Sequence, residues 1–125
     1  MGALRRGKLA VIVEDDPLVL DATESLLRSW GCRVVAAKCC RDAIVKLRDL
    51  GERPDLIVCD YRLPQGPNGV EAIRMLRGAS KIPAFLISAD ASSPSDEDSG
   101  YCLLHKPVNP KKFHALLVDA SVLPP

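Results

Sequence analysis

The run Asp55-Leu-Ile-Val-Cys-Asp60 limits what this chain can fold into more than any other stretch. Four apolar residues lie between two acids, and turn chemistry follows at once in Tyr61-Arg-Leu-Pro-Gln-Gly-Pro-Asn-Gly69. A short apolar run with a β-branched centre reads as a strand buried on both faces, the habit of parallel sheets. In an open parallel sheet, ligands and chemistry gather outside the carboxyl ends of the strands. Asp60 therefore stands at the functional edge, provided that other strands end beside it.

Four more strands are predicted. Lys8-Leu-Ala-Val-Ile-Val13 runs straight into Glu14-Asp-Asp16, and Pro17 opens a helix because its missing N–H costs nothing at the first helical position. Val19, Ala22, Leu26 and Trp30 recur at helical spacing as the core stripe of that helix, which Gly31 ends. Residues 32–37 form the second strand. Ala43, Ile44, Leu47 and Leu50 mark a second helix, closed by Gly51. A short helix from about Gly69 to Arg77 carries Val70, Ile73 and Leu76 inward.

Residues 84–87 form the fourth strand, ending in Ser88-Ala-Asp90. The following segment is polar, and Ser93 with Pro94 suits the start of a helix of about two turns at most. Residues 102–104 form the fifth strand, before His105-Lys-Pro107. Asn109 caps a last helix with Phe113, Leu116, Leu117 and Ala120 on its inner stripe. Strands alternating with helices imply a parallel sheet covered on both faces, with right-handed crossovers. The expected fold class is α/β: a flavodoxin-like, doubly wound, five-stranded sheet of order 2-1-3-4-5 with a shortened fourth helix. A chain of 125 residues, 47% hydrophobic and 26% charged, fits one such domain over residues 1–125, with its core from about 8 to 120.

The net charge of +1 gives no global attraction to nucleic acid or membrane surfaces. The five cysteines (32, 39, 40, 59 and 102) form no Cys-x-x-Cys pair, a pattern of a reducing compartment, so the expected location is cytoplasmic. No run reaches the length of a transmembrane helix, and Met1 to Lys8 is too short and polar for a signal peptide.

Each strand end carries a chemically useful residue. The first delivers Glu14 and Asp15, the third Asp60, the fourth Ser88 and the fifth Lys106. In the expected order the first and third strands are neighbours, so three carboxylates converge. They repel one another and suit a hard divalent cation, Mg²⁺ above all. Such a site binds a phosphoryl donor while a carboxylate attacks in line, and the lysine and hydroxyl donate to the phosphoryl oxygens. Taken singly, these residues have plainer readings. Glu14 to Asp16 could be helix-start charges, Asp60 a turn former and Lys106 a surface residue. Their joint placement at four strand ends favours a site.

The chain resembles the receiver domains of two-component signalling along nearly its whole length. The resemblance rests on Val13-Glu-Asp-Asp-Pro17, Pro54-Asp-Leu-Ile-Val-Cys-Asp-Tyr-Arg-Leu-Pro64, Asn68-Gly69, Leu86-Ile-Ser88 and His105-Lys-Pro107. It implies that Asp60 accepts a phosphoryl group from a phosphohistidine on a histidine kinase or histidine phosphotransfer domain. It also implies that Asp15, Asp60 and the backbone carbonyl of Arg62 ligate Mg²⁺, with Glu14 acting through water. Ser88 is then the switch hydroxyl and Lys106 the phosphoryl contact, with a cis peptide to Pro107. The wording of the motifs is similar to that of the receivers of hybrid sensor histidine kinases.

Two departures from the family pattern stand out. Leu103 holds the place of an aromatic residue that swings inward on phosphorylation, and Tyr101 lies two residues early on the same face. The segment before the fifth strand is also several residues short. Two other functions compete with the phosphoacceptor reading, and a stand-alone regulator competes with the hybrid kinase as the parent. An aspartyl phosphohydrolase generally needs an acid two residues after its nucleophile, where Arg62 stands here. A degenerate receiver would act only as an interaction module, and a stand-alone regulator would lack an attached kinase. Arg62 and Asp90 are expected to face one another across the site and to hinder an attacking water.

Overall fold

The computed structural model describes residues 7–63, 66, 68–89 and 100–124. The strands are β1 (Leu9–Val13), β2 (Arg33–Ala37), β3 (Leu56–Asp60), β4 (Ala84–Ser88) and β5 (Cys102–His105). The helices are α1 (Pro17–Ser29), α2 (Cys40–Leu50), α3 (Gly69–Arg77) and α4 (Pro110–Asp119). All neighbouring strands pair in parallel, in the order β2-β1-β3-β4-β5, as the sequence implies. The segment between β4 and β5 that was expected to hold the shortened helix, with Ser93 and Pro94, lies outside the described residues.

Strand character follows position in the sheet. The three inner strands, β1, β3 and β4, are buried at every residue, which is why each reads as a continuous apolar run. The edge strands β2 and β5 are mostly half-buried. The register pairs Val13 with Cys59, Asp60 with Ile87, and Ser88 with His105, so the strands end nearly level with one another. That alignment makes a single functional edge.

The helix ends are set locally. Asp16 caps α1 by accepting from the amides of Leu18 and Val19, with Pro17 at the first helical position. Asn109 and Pro110 repeat the device on α4. Asn68 and Glu71 form a reciprocal capping box at the start of α3. At the end of α1, Gly31 takes a left-handed φ of 89°, which lets the Cys32 amide donate back to the Leu27 carbonyl.

Two apolar layers cover the sheet. On one face, Leu27 of α1 and Phe113 and Leu117 of α4 pack on Ile12, Val58, Phe85 and Ile87. Trp30, Phe113 and Phe85 stack edge to face there, with ring centres 5.7 and 5.5 Å apart. On the other face, Ala43 and Leu47 of α2 and Ala72 and Ile73 of α3 cover Val11, Val13, Ile57, Cys59 and Leu86.

The helix stripes differ in detail from expectation. Leu27 is the fully buried residue of α1, with Leu20, Leu26 and Trp30 packed around it, while Ala22 is exposed. The cause is the density of apolar residues in α1, which supports more than one helical face. In α2, Cys40, Ala43 and Leu47 point inward and Leu50 is exposed. Tyr101 is buried in the same cluster that Leu103 packs against, in keeping with the shared face expected for them.

Candidate functional site

Three polar side chains are buried among the described residues: Glu14 (4% exposed), Asp60 (7%) and Ser88 (1%). All three stand at the carboxyl ends of inner strands. Burying a charge is costly unless it is paired, so this placement is not what packing alone would select.

The backbone fixes each residue. The Glu14 amide donates to the Ala37 carbonyl at 3.0 Å, which carries the β1–β2 pairing one residue past β1. Glu14 Oε2 then accepts from the Asp16 amide at 3.1 Å. Tyr61 donates to the Ile87 carbonyl at 2.8 Å, so Asp60 is held by pairing on both sides of it. Lys106 donates through its amide to the Ser88 carbonyl at 2.9 Å, tying the ends of β4 and β5 together. The peptide between Lys106 and Pro107 is cis.

These anchors aim the side chains inward. Lys106 Nζ lies 3.3 Å from Glu14 Oε1 and 3.4 Å from Asp60 Oδ2. Carboxylate oxygens of Glu14, Asp15 and Asp60 lie within 4.8 Å of one another, and Asp15 is exposed to solvent. Arg62, two residues past Asp60, lines a cavity of about 510 Å³ together with Asp15, Tyr61, Leu63 and Asn68. Asp90, its expected partner across the site, lies outside the described residues, as does the acidic run from Asp96 to Asp98.

The electrostatics show an unbalanced cluster. Burial pushes the Glu14 carboxyl up to about 7, and the Asp60 charge adds to that, against the Asp16 amide and the Lys106 charge. Burial pulls Lys106 down, but Glu14 and Asp60 outweigh it and hold the ammonium above its usual range. Lys106 meets two of the three clustered carboxylates, Glu14 and Asp60. A set of hard oxygen donors with surplus negative charge, one of them open to solvent, fits a small divalent cation.

One contributor is plain only in three dimensions. A Cβ on Gly69 would lie 2.4 Å from the Asp60 carbonyl oxygen, 2.6 Å from Leu86 Cδ1 and 2.8 Å from Tyr61 Cα. Its amide donates to the Tyr61 carbonyl at 2.9 Å. Gly69 thus lets α3 press directly on the end of β3. In the sequence, Asn68-Gly69 before an apolar stripe signals a helix start, and nothing there reports the close approach.

Comparison with known proteins agrees with this geometry. The profile of the response regulator receiver domain matches residues 10–118. The chain belongs to the response regulator receiver family. As a receiver domain of two-component signalling it is 28% identical over 112 residues to the phyllosphere-induced regulator PhyR of Methylorubrum extorquens. That match covers 88% of this chain and 42% of the relative. The crystal structure of the anti-anti-sigma factor PhyR from Bartonella quintana aligns at a TM-score of 0.74 and 27% identity, covering 95% of this receiver and 49% of that chain. The Vibrio cholerae chemotaxis protein CheY4 shares the fold, at a TM-score of 0.76 and 23% identity over 90% of this chain and 98% of that one. This receiver therefore spans less than half the length of the two PhyR proteins. Among the described residues, no helix is long and apolar enough to cross a membrane.

Proposed function

We propose that this receiver is a phosphoacceptor, in one domain with its core over about residues 8–120, and that Asp60 is the accepting group. The observation that carries the reading is that Glu14 and Asp60 meet the Lys106 ammonium at one sheet edge. Ser88, bonded through its carbonyl to the Lys106 amide, is the third buried polar residue among those described. A carboxylate oxygen of Asp60 attacks the phosphorus of a phosphohistidine. The new O–P bond forms as the N–P bond breaks, and the histidine leaves as the neutral imidazole after protonation. Lys106 holds one phosphoryl oxygen and keeps the charged product in place. The Ser88 hydroxyl donates to another, which ties the end of β4 to the phosphorylated state.

Glu14, Asp15, Asp60 and the Arg62 backbone carbonyl would hold Mg²⁺. Bound there, the ion offsets the charge that builds on the phosphoryl oxygens.

The donor is a histidine kinase or a histidine phosphotransfer domain. Beside Lys106, α1 and the start of α4 frame an apolar groove of about 660 Å³, and Leu18 on its rim is 81% exposed. The groove offers a donor helix an apolar seat next to Asp60. Leu18→Glu is expected to slow transfer from a phosphohistidine donor at least about tenfold while leaving acetyl phosphate reactivity unchanged, since only the former needs docking.

The motif from Asp60 to Pro64 supports a parent protein in which the receiver is joined to a sensor histidine kinase. A second reading rests on the PhyR matches, one of which is described as an anti-anti-sigma factor. In that reading phosphorylation controls a segment that competes for an anti-sigma factor.

Intact mass after incubation with acetyl phosphate, with and without Mg²⁺, tests the acceptor reading. One phosphoryl group is expected, only with Mg²⁺, and none on Asp60→Asn. No gain from either acetyl phosphate or a panel of phosphohistidine donors would leave an interaction-only module.

A further inference from the structure

The sheet has two edges, and β2 forms one of them. Along a parallel strand, alternate residues turn their N–H and C=O toward opposite neighbours. The Arg33 amide donates to Lys8 and the Ala37 carbonyl accepts from Glu14, so residues 33, 35 and 37 serve β1. Val34 and Ala36 therefore point their backbone groups outward, as a row that another strand could pair with.

Both outward carbonyls are already occupied. The Arg28 guanidinium reaches from the last turn of α1 to the Val34 carbonyl at 3.2 Å. The Lys46 ammonium reaches from α2 to the Ala36 carbonyl at 2.7 Å. Each cation is steadied by an acid one turn earlier on its own helix: Glu24 holds Arg28 at 2.9 Å and Asp42 holds Lys46 at 3.3 Å. α1 and α2 lie on opposite faces of the sheet, so the two arms close on one strand from both sides. Two copies of one construction on two different helices is more than surface charges meeting a nearby oxygen.

We propose that Arg28 and Lys46 shut the β2 edge against strand addition, and that the partner they exclude is a second copy of this chain. The excluded complex pairs β2 with β2 antiparallel across a two-fold axis, joining two five-stranded sheets into one. Self-pairing is the natural threat because the residues of β2, Val34 and Val35 among them, favour strand and are only half-buried. A two-fold axis would also bring Arg28 and Lys46 of each copy against the same cations of the other.

The test is self-association of the full chain, measured by light scattering after size exclusion over a concentration series. The double variant Arg28→Met, Lys46→Met keeps helix-forming side chains of similar length without charge. It is expected to self-associate at least tenfold more tightly than the parent. Hydrogen exchange at the Val34 and Ala36 amides should slow as concentration rises, while the parent's rates stay constant. Adding Ala36→Pro removes one outward N–H and no bond to β1, and is expected to return association to the parental level. A folded double variant that associates no more than the parent would overturn the proposal. So would association that survives Ala36→Pro, or that leaves the two amides unprotected. If the double variant fails to fold, the single variants decide by the same exchange measurement.

Discussion

At the carboxyl end of the sheet, Glu14 and Asp60 are buried beside Asp15 with one lysine between them. At the amino end polar groups tie one element to another. Asp55 accepts from the Leu9 amide at 2.8 Å and donates its own amide to the Leu9 carbonyl at 2.7 Å. Arg33 grips both oxygens of Glu52 at 2.9 and 3.0 Å. Arg77 places its guanidinium on the Ile82 and Gly100 carbonyls, joining the end of α3 to the entries of β4 and β5. Among the described residues, one end gathers three carboxylates, two of them paired with Lys106, while at the other Arg33 pairs with Glu52 and Arg77 with two backbone carbonyls. The amino end thus ties elements together, while the carboxyl end gathers the carboxylates that a cation and a phosphoryl group would meet.

Substitutions at the two ends should then separate activity from stability. Lys106→Met removes the charge that would meet the phosphoryl oxygens, and phosphorylation by acetyl phosphate should slow by about 10²-fold. The rate is read from mass against time; a change below threefold would remove Lys106 from the chemistry. Arg77→Ala leaves two carbonyls without their donor and is expected to cost about 2 kcal/mol in urea unfolding. Its phosphorylation rate should stay within about twofold of the parent. A large rate loss there would erase the division between the two ends.

Acidity gives a finer contrast. Burial lets the folded protein keep the Glu14 proton up to about pH 7, whereas the unfolded chain releases it near the ordinary glutamate value of 4.5. The folded state thus binds more protons between these values, and metal-free stability falls as pH rises through that window. Glu14→Gln should flatten this slope, measured by thermal melts in chelator from about pH 5 to pH 8. An equal slope in both proteins would assign the dependence elsewhere.

The smallest effect belongs to the amino end. α4 finishes in the same pattern as α1: Val122 donates to the Leu117 carbonyl and Ser121 to Val118. Ser121, however, sits at a left-handed φ of 63°, where α1 has Gly31. Ser121→Gly is expected to stabilise by about 1 kcal/mol without altering phosphorylation, because it removes a Cβ from a conformation that disfavours one.

The strand ends were readable because burial on both faces forces an unbroken apolar run. The first polar residue after it then marks the edge, as Glu14, Asp60 and Ser88 do. Helix faces were harder. α1 carries Leu18, Val19, Leu20, Ala22, Leu26 and Leu27, so a period of 3.6 fits several stripes. The choice of Leu27 as its centre comes from the sheet beneath. The contact at Gly69 depends on how closely α3 approaches β3, a distance that no local pattern encodes. The outward carbonyls of β2 were hidden for a similar reason, since strand order must be known before an edge exists.

Glu14 and Lys106 meet across 92 residues of chain, and Asp60 joins them from a third strand. No hairpin, fragment or half-assembled sheet brings these groups together. On the phosphoacceptor reading, competence to take a phosphoryl group would therefore report on assembly of β1, β3 and β5 together. On that reading, a nascent or clipped copy lacking one of these strands would draw no phosphate from a donor, and signalling would be restricted to molecules whose central sheet has assembled.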